Sequence, residues 1–160
     1  MMRVMRAGAE RFYRYQQERF PIVVLIFSLF PAVLSSGAIL TENLTALPVA
    51  LALIGSLAYL LHIRVIDEYR DFTHDTLHHA TRPVQSGVIS KRELRYADIA
   101  AVVLLMIVAM VAGTGALVMA LVMVLYAYLA GKEFFIRENI RRHFFLYNGA
   151  NLVQMLLLQL

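Results

Sequence analysis

The chain has 160 residues, of which 60% are apolar and only 16% are charged. An ordinary soluble domain is about 45–50% apolar and about 25% charged, so this composition excludes a disordered chain and favours an integral membrane protein. The absence of cysteine excludes disulfides, thiolate metal sites and a cysteine nucleophile. The formal net charge is +4, and its distribution along the chain indicates a membrane surface as the partner rather than nucleic acid.

The first 19 residues are polar and rich in arginine, and they predict an amphipathic helix on the cytoplasmic surface of the membrane. Five apolar runs follow, at about residues 20–40, 44–66, 96–111, 116–130 and 144–160. A spanning helix needs roughly 20 apolar residues, with about 17 as a lower limit, and its backbone must satisfy its own hydrogen bonds in lipid. The pattern predicts an all-α, polytopic membrane bundle with about five transmembrane helices, in one transmembrane domain over residues 1–160.

The basic residues predict which side of the bilayer each connecting segment faces. All fifteen Lys and Arg residues lie in three segments or at their helix boundaries: residues 1–19, 67–95 and 131–143. The other two connections, Thr41-Glu42-Asn43 and the tight turn Gly113-Thr114-Gly115, carry none. The positive-inside rule then places the N-terminus and the 67–95 loop in the cytoplasm. In a bacterial or archaeal cell, we expect a multi-pass protein of the plasma (inner) membrane, with the lipid bilayer and no nucleic acid as its surroundings.

The 67–95 loop begins with three regularly spaced carboxylates. Asp67, Asp71 and Asp75 follow the spacing i, i+4, i+8, which on a helix places them on one stripe at steps of about 6 Å. Like charges at this spacing repel one another by a few tenths of a kcal/mol, so the stripe makes physical sense if a cation binds to it. Hard carboxylate oxygens suit Mg²⁺, which also bridges to substrate phosphates. The alternative is a solvated helix end that leaves the membrane.

The residues after the stripe carry a family resemblance. They read Arg82-Pro83, Ser86-Gly87 and Ile89-Ser90-Lys91-Arg92-Glu93-Leu94. Together with the three aspartates, and at this spacing, they resemble the first motif of the UbiA family of intramembrane prenyltransferases, in which many members carry asparagine where this chain has Asp67. Tyr128 and Lys132 match a tyrosine and a lysine at the end of the family's fourth helix, and GKEFF at residues 131–135 resembles one branch of the family.

The resemblance implies a bundle of about nine membrane helices around a cavity in which a prenyl group passes from a polyprenyl diphosphate to a small, often aromatic acceptor. It implies that Asp71 and Asp75 bind Mg²⁺ with support from Asp67, and that Asp71, Asp75 and Arg82 are the catalytic residues. Arg82, Tyr128 and Lys132 are the expected diphosphate contacts, because a guanidinium can bind phosphate bidentately and an ammonium acts as a point charge.

The family's second aspartate motif has no counterpart, because the chain contains no aspartate after Asp98. We therefore expect the chain to be the N-terminal half of a longer prenyltransferase, or a truncated copy. On its own it is expected to be inactive and open to self-association through the flank that the missing helices would cover.

Two other classes of protein compete with this interpretation. His74, His78 and His79 spell HxxxHH, which resembles one histidine box of the di-iron desaturases and hydroxylases, a class that needs several such boxes. A cation-binding transporter or scaffold, or a non-catalytic membrane remnant, would also carry intramembrane charge, although the chain lacks the broken helices and duplicated halves of many transporters.

His62 is interpreted as an interface residue or one that pairs locally, and Gly131 and Gly55-Ser56 as points of close helix packing.

Overall fold

The structure is a computed structural model that describes residues 2–40, 45–133 and 144–157. Within these residues every regular element is a helix, which confirms the all-α prediction. The seven helices are α1 (Met2–Arg19), α2 (Ile22–Leu40), α3 (Ala46–Arg70), α4 (Phe72–His78), α5 (Lys91–Ala112), α6 (Thr114–Gly131) and α7 (Phe144–Leu157).

Four of the described helices are long and apolar enough to cross a bilayer, and the chain is therefore a multi-pass membrane protein. They correspond to the first four predicted spans. The fifth predicted span is represented by α7, which has 14 described residues and is shorter than a bilayer requires, while residues 158–160 lie outside the described part. The candidate spans cover Ile22–Ile39, Ala46–Arg70, Lys91–Ala112 and Thr114–Gly131.

Side-chain interactions move the helix ends away from the ends of the apolar runs. Helix α5 begins at Lys91, five residues before the predicted start, because Ser90 and Glu93 form a capping box. The Ser90 hydroxyl accepts a hydrogen bond from the Glu93 N–H at 3.2 Å, and the Glu93 carboxylate accepts one from the Ser90 N–H at 2.9 Å. The predicted turn is reduced to Gly113, whose φ of 122° favours glycine and allows α6 to begin at Thr114.

Helices α3 and α5 form the most extensive helix contact and run antiparallel. Facing residues recur every seven positions on both helices, as in a coiled-coil seam. The Tyr69 hydroxyl closes the seam at its polar end by donating a hydrogen bond to the Lys91 carbonyl at 2.7 Å. The facing pairs are Gly55 with Leu105, His62 with Asp98, and Tyr69 with Lys91.

Helix α6 returns antiparallel to α5 and lies parallel to α3. The Tyr59 hydroxyl of α3 donates a hydrogen bond to the Met123 carbonyl of α6 at 3.4 Å, and Gly131 lies directly against Ile66. Small side chains let the three backbones approach closely, which is the usual way for membrane helices to associate. The buried alanines of this core are Ala58, Ala101, Ala109, Ala120 and Ala127.

The described parts of the three basic segments, residues 2–19, 67–95 and 131–133, lie at one end of the bundle, as the predicted alternation of helices requires. Arg19, at the end of α1, contacts Glu68 near the end of α3. The start of α5 faces the same end of α3, and the contact between Gly131 and Ile66 brings the end of α6 there as well. The turn at Gly113 lies at the opposite end.

Candidate functional site

The three predicted metal ligands lie where α3 ends and α4 begins. Asp71 is the single residue between the two helices, and two i to i−4 backbone hydrogen bonds connect the three aspartates across it. The Asp71 N–H donates to the Asp67 carbonyl at 2.9 Å, and the Asp75 N–H donates to the Asp71 carbonyl at 2.9 Å. The backbones of the three aspartates are thus linked in succession across the junction of α3 and α4.

Arg70 lies between the first two carboxylates. Its Nη2 is 2.8 Å from Asp67 Oδ1, and its Nε and Nη2 each lie 3.1 Å from an oxygen of Asp71. The Asp67 and Asp71 side chains are 30% and 39% exposed, so both remain open to solvent while they share this guanidinium. The mutual repulsion of the stripe is thus offset within the protein by an arginine.

Asp75 lies in a different environment, because its side chain is only 5% exposed. It forms an ion pair with Arg82, and Arg19 Nη2 and His74 Nδ1 lie 3.7 Å and 3.6 Å from its oxygens. Burial raises the pKa of Asp75, but the hydrogen bond and charge of Arg82, with smaller effects of His74 and Arg19, outweigh burial and hold that pKa below its usual value. Two of the predicted site residues, Asp75 and Arg82, are therefore in direct contact.

Glu68 is the centre of a buried ion cluster beside the stripe. Its Oε1 accepts hydrogen bonds from Arg19 Nε and Arg64 Nη2, both at 2.8 Å, and its side chain is 1% exposed. Through Arg19 the cluster joins the ion pair of Asp75 and Arg82. Three arginines thus surround Glu68 and Asp75, and with Arg70 they balance the charges of Glu68 and the three aspartates.

Tyr128 and Lys132 lie at the same end of the bundle as the aspartates. Tyr128 is 52% exposed, and the Lys132 ammonium is 6.0 Å from the centre of its ring. The contact between Gly131 and Ile66 puts them near the start of the stripe, but no described contact joins either residue to an aspartate. Phe134 and Phe135 of the GKEFF segment lie outside the described residues.

The three clustered histidines are exposed on α4 and just after it. The rings of His74 and His78 are 4.6 Å apart, and the His74 side chain is 68% exposed. In the described ranges, no group of three or more histidine, aspartate or glutamate side chains is arranged to hold a metal ion. This finding applies equally to the histidines and to the aspartate stripe as they stand in the structure.

The buried His62 and the half-buried Asp98 form a polar pair between two spanning helices. Their Nδ1 and Oδ1 atoms are 2.6 Å apart, and His62 Nε2 is buried without a hydrogen-bond partner among the described residues. The expectation of local pairing is therefore wrong, since the partner is 36 residues away on α5. The sequence signal for this pair is Asp98, which lies near the start of the apolar run at residues 96–111, because acidic side chains within a membrane usually face a partner.

Helix α1 confirms the predicted N-terminal helix, but it packs on protein through its apolar residues. Tyr15 is fully buried, and it belongs with Phe20 to a cluster on the aspartate side of the bundle. Nearer the start of α1, Arg11 Nε donates a hydrogen bond to Glu93 Oε1 at 2.7 Å. The partners of Tyr15 and Phe20 in this buried cluster are Val65, Val84, Ile89 and Leu94.

A shallow groove runs between α1 and the loop before α5. Glu10, Arg11, Arg14, Gly87 and Val88 line it. None of these residues is among the predicted site residues, so the groove and the aspartate stripe are separate features.

The chain was compared with protein-family models, with characterised proteins and with solved structures, and no match was found in any of the three.

Proposed function

We propose that this chain binds a polyprenyl diphosphate together with Mg²⁺ at the Asp67–Asp75 stripe, as part of a UbiA-type prenyltransferase. The observation that carries the proposal is the position of the three aspartates at the polar end of a spanning helix, where backbone hydrogen bonds connect Asp67 to Asp71 and Asp71 to Asp75. This position suits an amphiphilic substrate, because the diphosphate would lie in the polar layer while the prenyl chain lies along the apolar helix faces.

The chemistry of the carboxylates fits a magnesium ion. Asp67 and Asp71 are partly exposed neighbours on one stripe, and each offers hard oxygens of the kind that Mg²⁺ prefers. Bound Mg²⁺ would stabilise the negative charge that develops on the leaving diphosphate. Arg70 offsets one of these two negative charges in the structure and must give up part of its contact with the carboxylates when the metal binds.

Arg82 can bind the diphosphate by changing partners. It is 29% exposed and paired with Asp75, and a guanidinium binds phosphate as readily as carboxylate. When Arg82 turns to a phosphate, the Asp75 oxygens become available to the metal, so every charge keeps a partner. Tyr128 and Lys132, at the same end of the bundle, are proposed as further diphosphate contacts.

Transfer of the prenyl group to an acceptor needs more than this stripe. The allylic carbon–oxygen bond breaks with its electron pair on the diphosphate, and the acceptor then forms a bond to the allylic carbon and loses a proton. We propose that a second carboxylate cluster, on a further segment or a second copy of the chain, completes the site. The acceptor is proposed to be a small, often aromatic molecule.

The proposal predicts that diphosphate binding depends on Mg²⁺ and on the aspartates. We expect the purified chain in lipid nanodiscs to bind a fluorescent prenyl diphosphate with Mg²⁺ and to lose that binding with EDTA. Asp71→Asn and Asp75→Asn should each abolish binding, because each removes a charged metal ligand.

His78→Ala is the matched control, since His78 is an exposed neighbour on α4, and it should bind as the unmodified chain does. Loss of binding in His78→Ala with retention in the aspartate variants would favour the iron-binding interpretation instead. Binding that persists in both aspartate variants and in EDTA would refute the metal site and favour the alternative that the stripe is a solvated helix end.

The positions of the basic residues support a cytoplasmic site. Ser86 is exposed in the loop at the basic end, and Thr114 is exposed at the opposite end. Because the chain has no cysteine, Ser86→Cys and Thr114→Cys each provide one unique thiol. In sealed cells, an impermeant maleimide should label Thr114→Cys and leave Ser86→Cys unmodified until the membrane is opened. The reverse labelling would refute the cytoplasmic placement.

A further inference from the structure

Helix α1 presents three buried or ion-paired residues on one face. Arg11, Tyr15 and Arg19 follow the spacing i, i+4, i+8, the same spacing as the aspartates. All three contact the aspartate side of the bundle, whereas Tyr13 and Arg14 on other faces of α1 are exposed. The helix is therefore attached along its length rather than at one point.

The first attachment is at the start of α5. Arg11 binds Glu93 Oε1, while Glu93 Oε2 accepts hydrogen bonds from the Ser90 N–H at 2.9 Å and from the Ser90 hydroxyl at 2.7 Å. One glutamate thus holds both the capping box and α1. This contact fixes α1 against the residues that end the loop.

The second attachment is at the beginning of the loop. Arg19 Nε lies 2.8 Å from Glu68 Oε1, and its Nη2 lies 3.7 Å from Asp75 Oδ2. The side chains of Glu68 and Asp75 are almost fully buried, so this guanidinium bridges two carboxylates that solvent barely reaches. A pair of this kind is held more firmly than a surface ion pair, because breaking it leaves a buried charge without its partner.

Tyr15 fills the space between the two attachments. Its side chain is fully buried, and it packs with Val65 and Val84. Burial and the nearby charge of Glu68 raise the pKa of Tyr15 to about 12, in keeping with a hydroxyl enclosed beside the ion cluster. An interfacial helix immersed in lipid would direct this residue to the bilayer instead.

We propose that α1 is a strap that fixes the loop between α3 and α5, with Arg19 as the residue that positions Asp75. This proposal rests on the proposed function only where it assigns Asp75 to metal binding. The strap itself is defined by its two attachments, Arg11 to Glu93 and Arg19 to Glu68 and Asp75. Residues 49 and 82 positions apart in the sequence are thereby joined through α1.

A distance measurement tests the strap without any ligand. Spin labels on Gln17→Cys and Thr81→Cys, both exposed, report the separation of α1 from the loop by pulsed electron resonance in nanodiscs. We expect one narrow distance distribution in the otherwise unmodified chain and in Arg14→Ala, the matched exposed arginine. In the double variant Arg11→Ala/Arg19→Ala the distribution should broaden. A narrow distribution in the double variant would overturn the strap.

A titration tests the positioning role. The Mg²⁺ concentration for half-maximal binding of the prenyl diphosphate should rise about tenfold or more in Arg19→Ala, the range found when a residue that orients a metal ligand is removed. Arg19→Lys, which keeps the charge, should recover part of that loss, and Arg14→Ala should match the unmodified chain. An unchanged Mg²⁺ requirement in Arg19→Ala would refute the positioning of Asp75.

The two measurements separate the two proposals. If the unmodified chain binds no prenyl diphosphate, the proposed function fails, and the label distances alone decide whether α1 fixes the loop. If the chain binds the diphosphate but Arg19→Ala leaves the Mg²⁺ requirement unchanged, the proposed function stands and the positioning role fails.

Discussion

Replacing Glu68 with alanine is expected to destabilise the chain by about 3–5 kcal/mol, the usual cost of removing one partner from a buried ion pair. Glu68 is the hydrogen-bond acceptor for Arg19 and Arg64, and its side chain is 1% exposed. Without it, two guanidinium groups lose their hydrogen-bond acceptor in a poorly solvated place, and Arg19 retains the longer contact of 3.7 Å with Asp75. The free energy of unfolding in mixed detergent micelles measures the loss.

Two comparisons make this prediction specific. Glu18→Ala removes an exposed glutamate from α1 and should change the free energy of unfolding by less than about 0.5 kcal/mol, as surface substitutions usually do. Glu68→Gln keeps the shape and one hydrogen-bond acceptor, so its stability should fall between those of Glu68→Ala and the unmodified chain. If Glu68→Ala and Glu18→Ala unfold alike, the cluster does not hold α1 on the bundle.

The spanning helices could be predicted from the sequence, because a bilayer imposes a length and a composition on every span. The ends of those helices could not be predicted in the same way. Helix α3 continues to Arg70, where Arg64 pairs with Glu68 and Arg70 with Asp67 along the helix surface. Helix ends depend on such local pairs and caps, which the hydropathy of an apolar run does not contain.

The candidate site, like the helices, could be predicted only in part from the sequence. The i, i+4, i+8 spacing of the aspartates can be read from the sequence, but the break between α3 and α4 at Asp71 and the burial of Asp75 beside Arg82 and Arg19 cannot. The contact of Arg19 with Glu68 joins residues 49 positions apart, and that of Arg11 with Glu93 joins residues 82 apart. Both contacts depend on α1 folding back over the loop, which no local pattern specifies, although the i, i+4, i+8 spacing of Arg11, Tyr15 and Arg19 already indicates a shared face.

The arginines change the argument for a bound cation. From the sequence, the repulsion among three aspartates favours a metal ion as the cation that offsets it. In the structure Arg70 and Arg82 contribute that positive charge, so repulsion alone no longer requires a metal. The magnesium proposal depends instead on the exposed oxygens of Asp67 and Asp71 and on the motif that surrounds them. A metal that binds here competes with Arg70, and its affinity should rise in Arg70→Ala if the stripe itself stays helical.

The second large effect is expected from Gly131→Ala, at the contact between α6 and α3. A Cβ atom at Gly131 would overlap Cγ2 of Ile66. That atom is attached to a branched Cβ and cannot turn away, because isoleucine in a helix strongly prefers one side-chain rotamer. The end of α6 must therefore move away from α3. We expect a loss of about 1–3 kcal/mol in the free energy of unfolding, as for overpacked cores, despite the better helix propensity of alanine.

Gly55→Ala provides the matched control, because a Cβ atom there would lie 3.5 Å from Val108 Cγ1, an ordinary contact distance. That variant should be as stable as the unmodified chain or more so, since alanine gains up to about 1 kcal/mol over glycine within a helix. Ile66→Ala should restore most of the stability lost in Gly131→Ala when the two changes are combined, because it removes the atom that overlaps. Two results would contradict this packing of α6 on α3 through Gly131: a Gly131→Ala variant as stable as Gly55→Ala, or a double variant that Ile66→Ala makes still less stable. In either case, the end of α6 with Lys132 is not held beside the aspartate stripe.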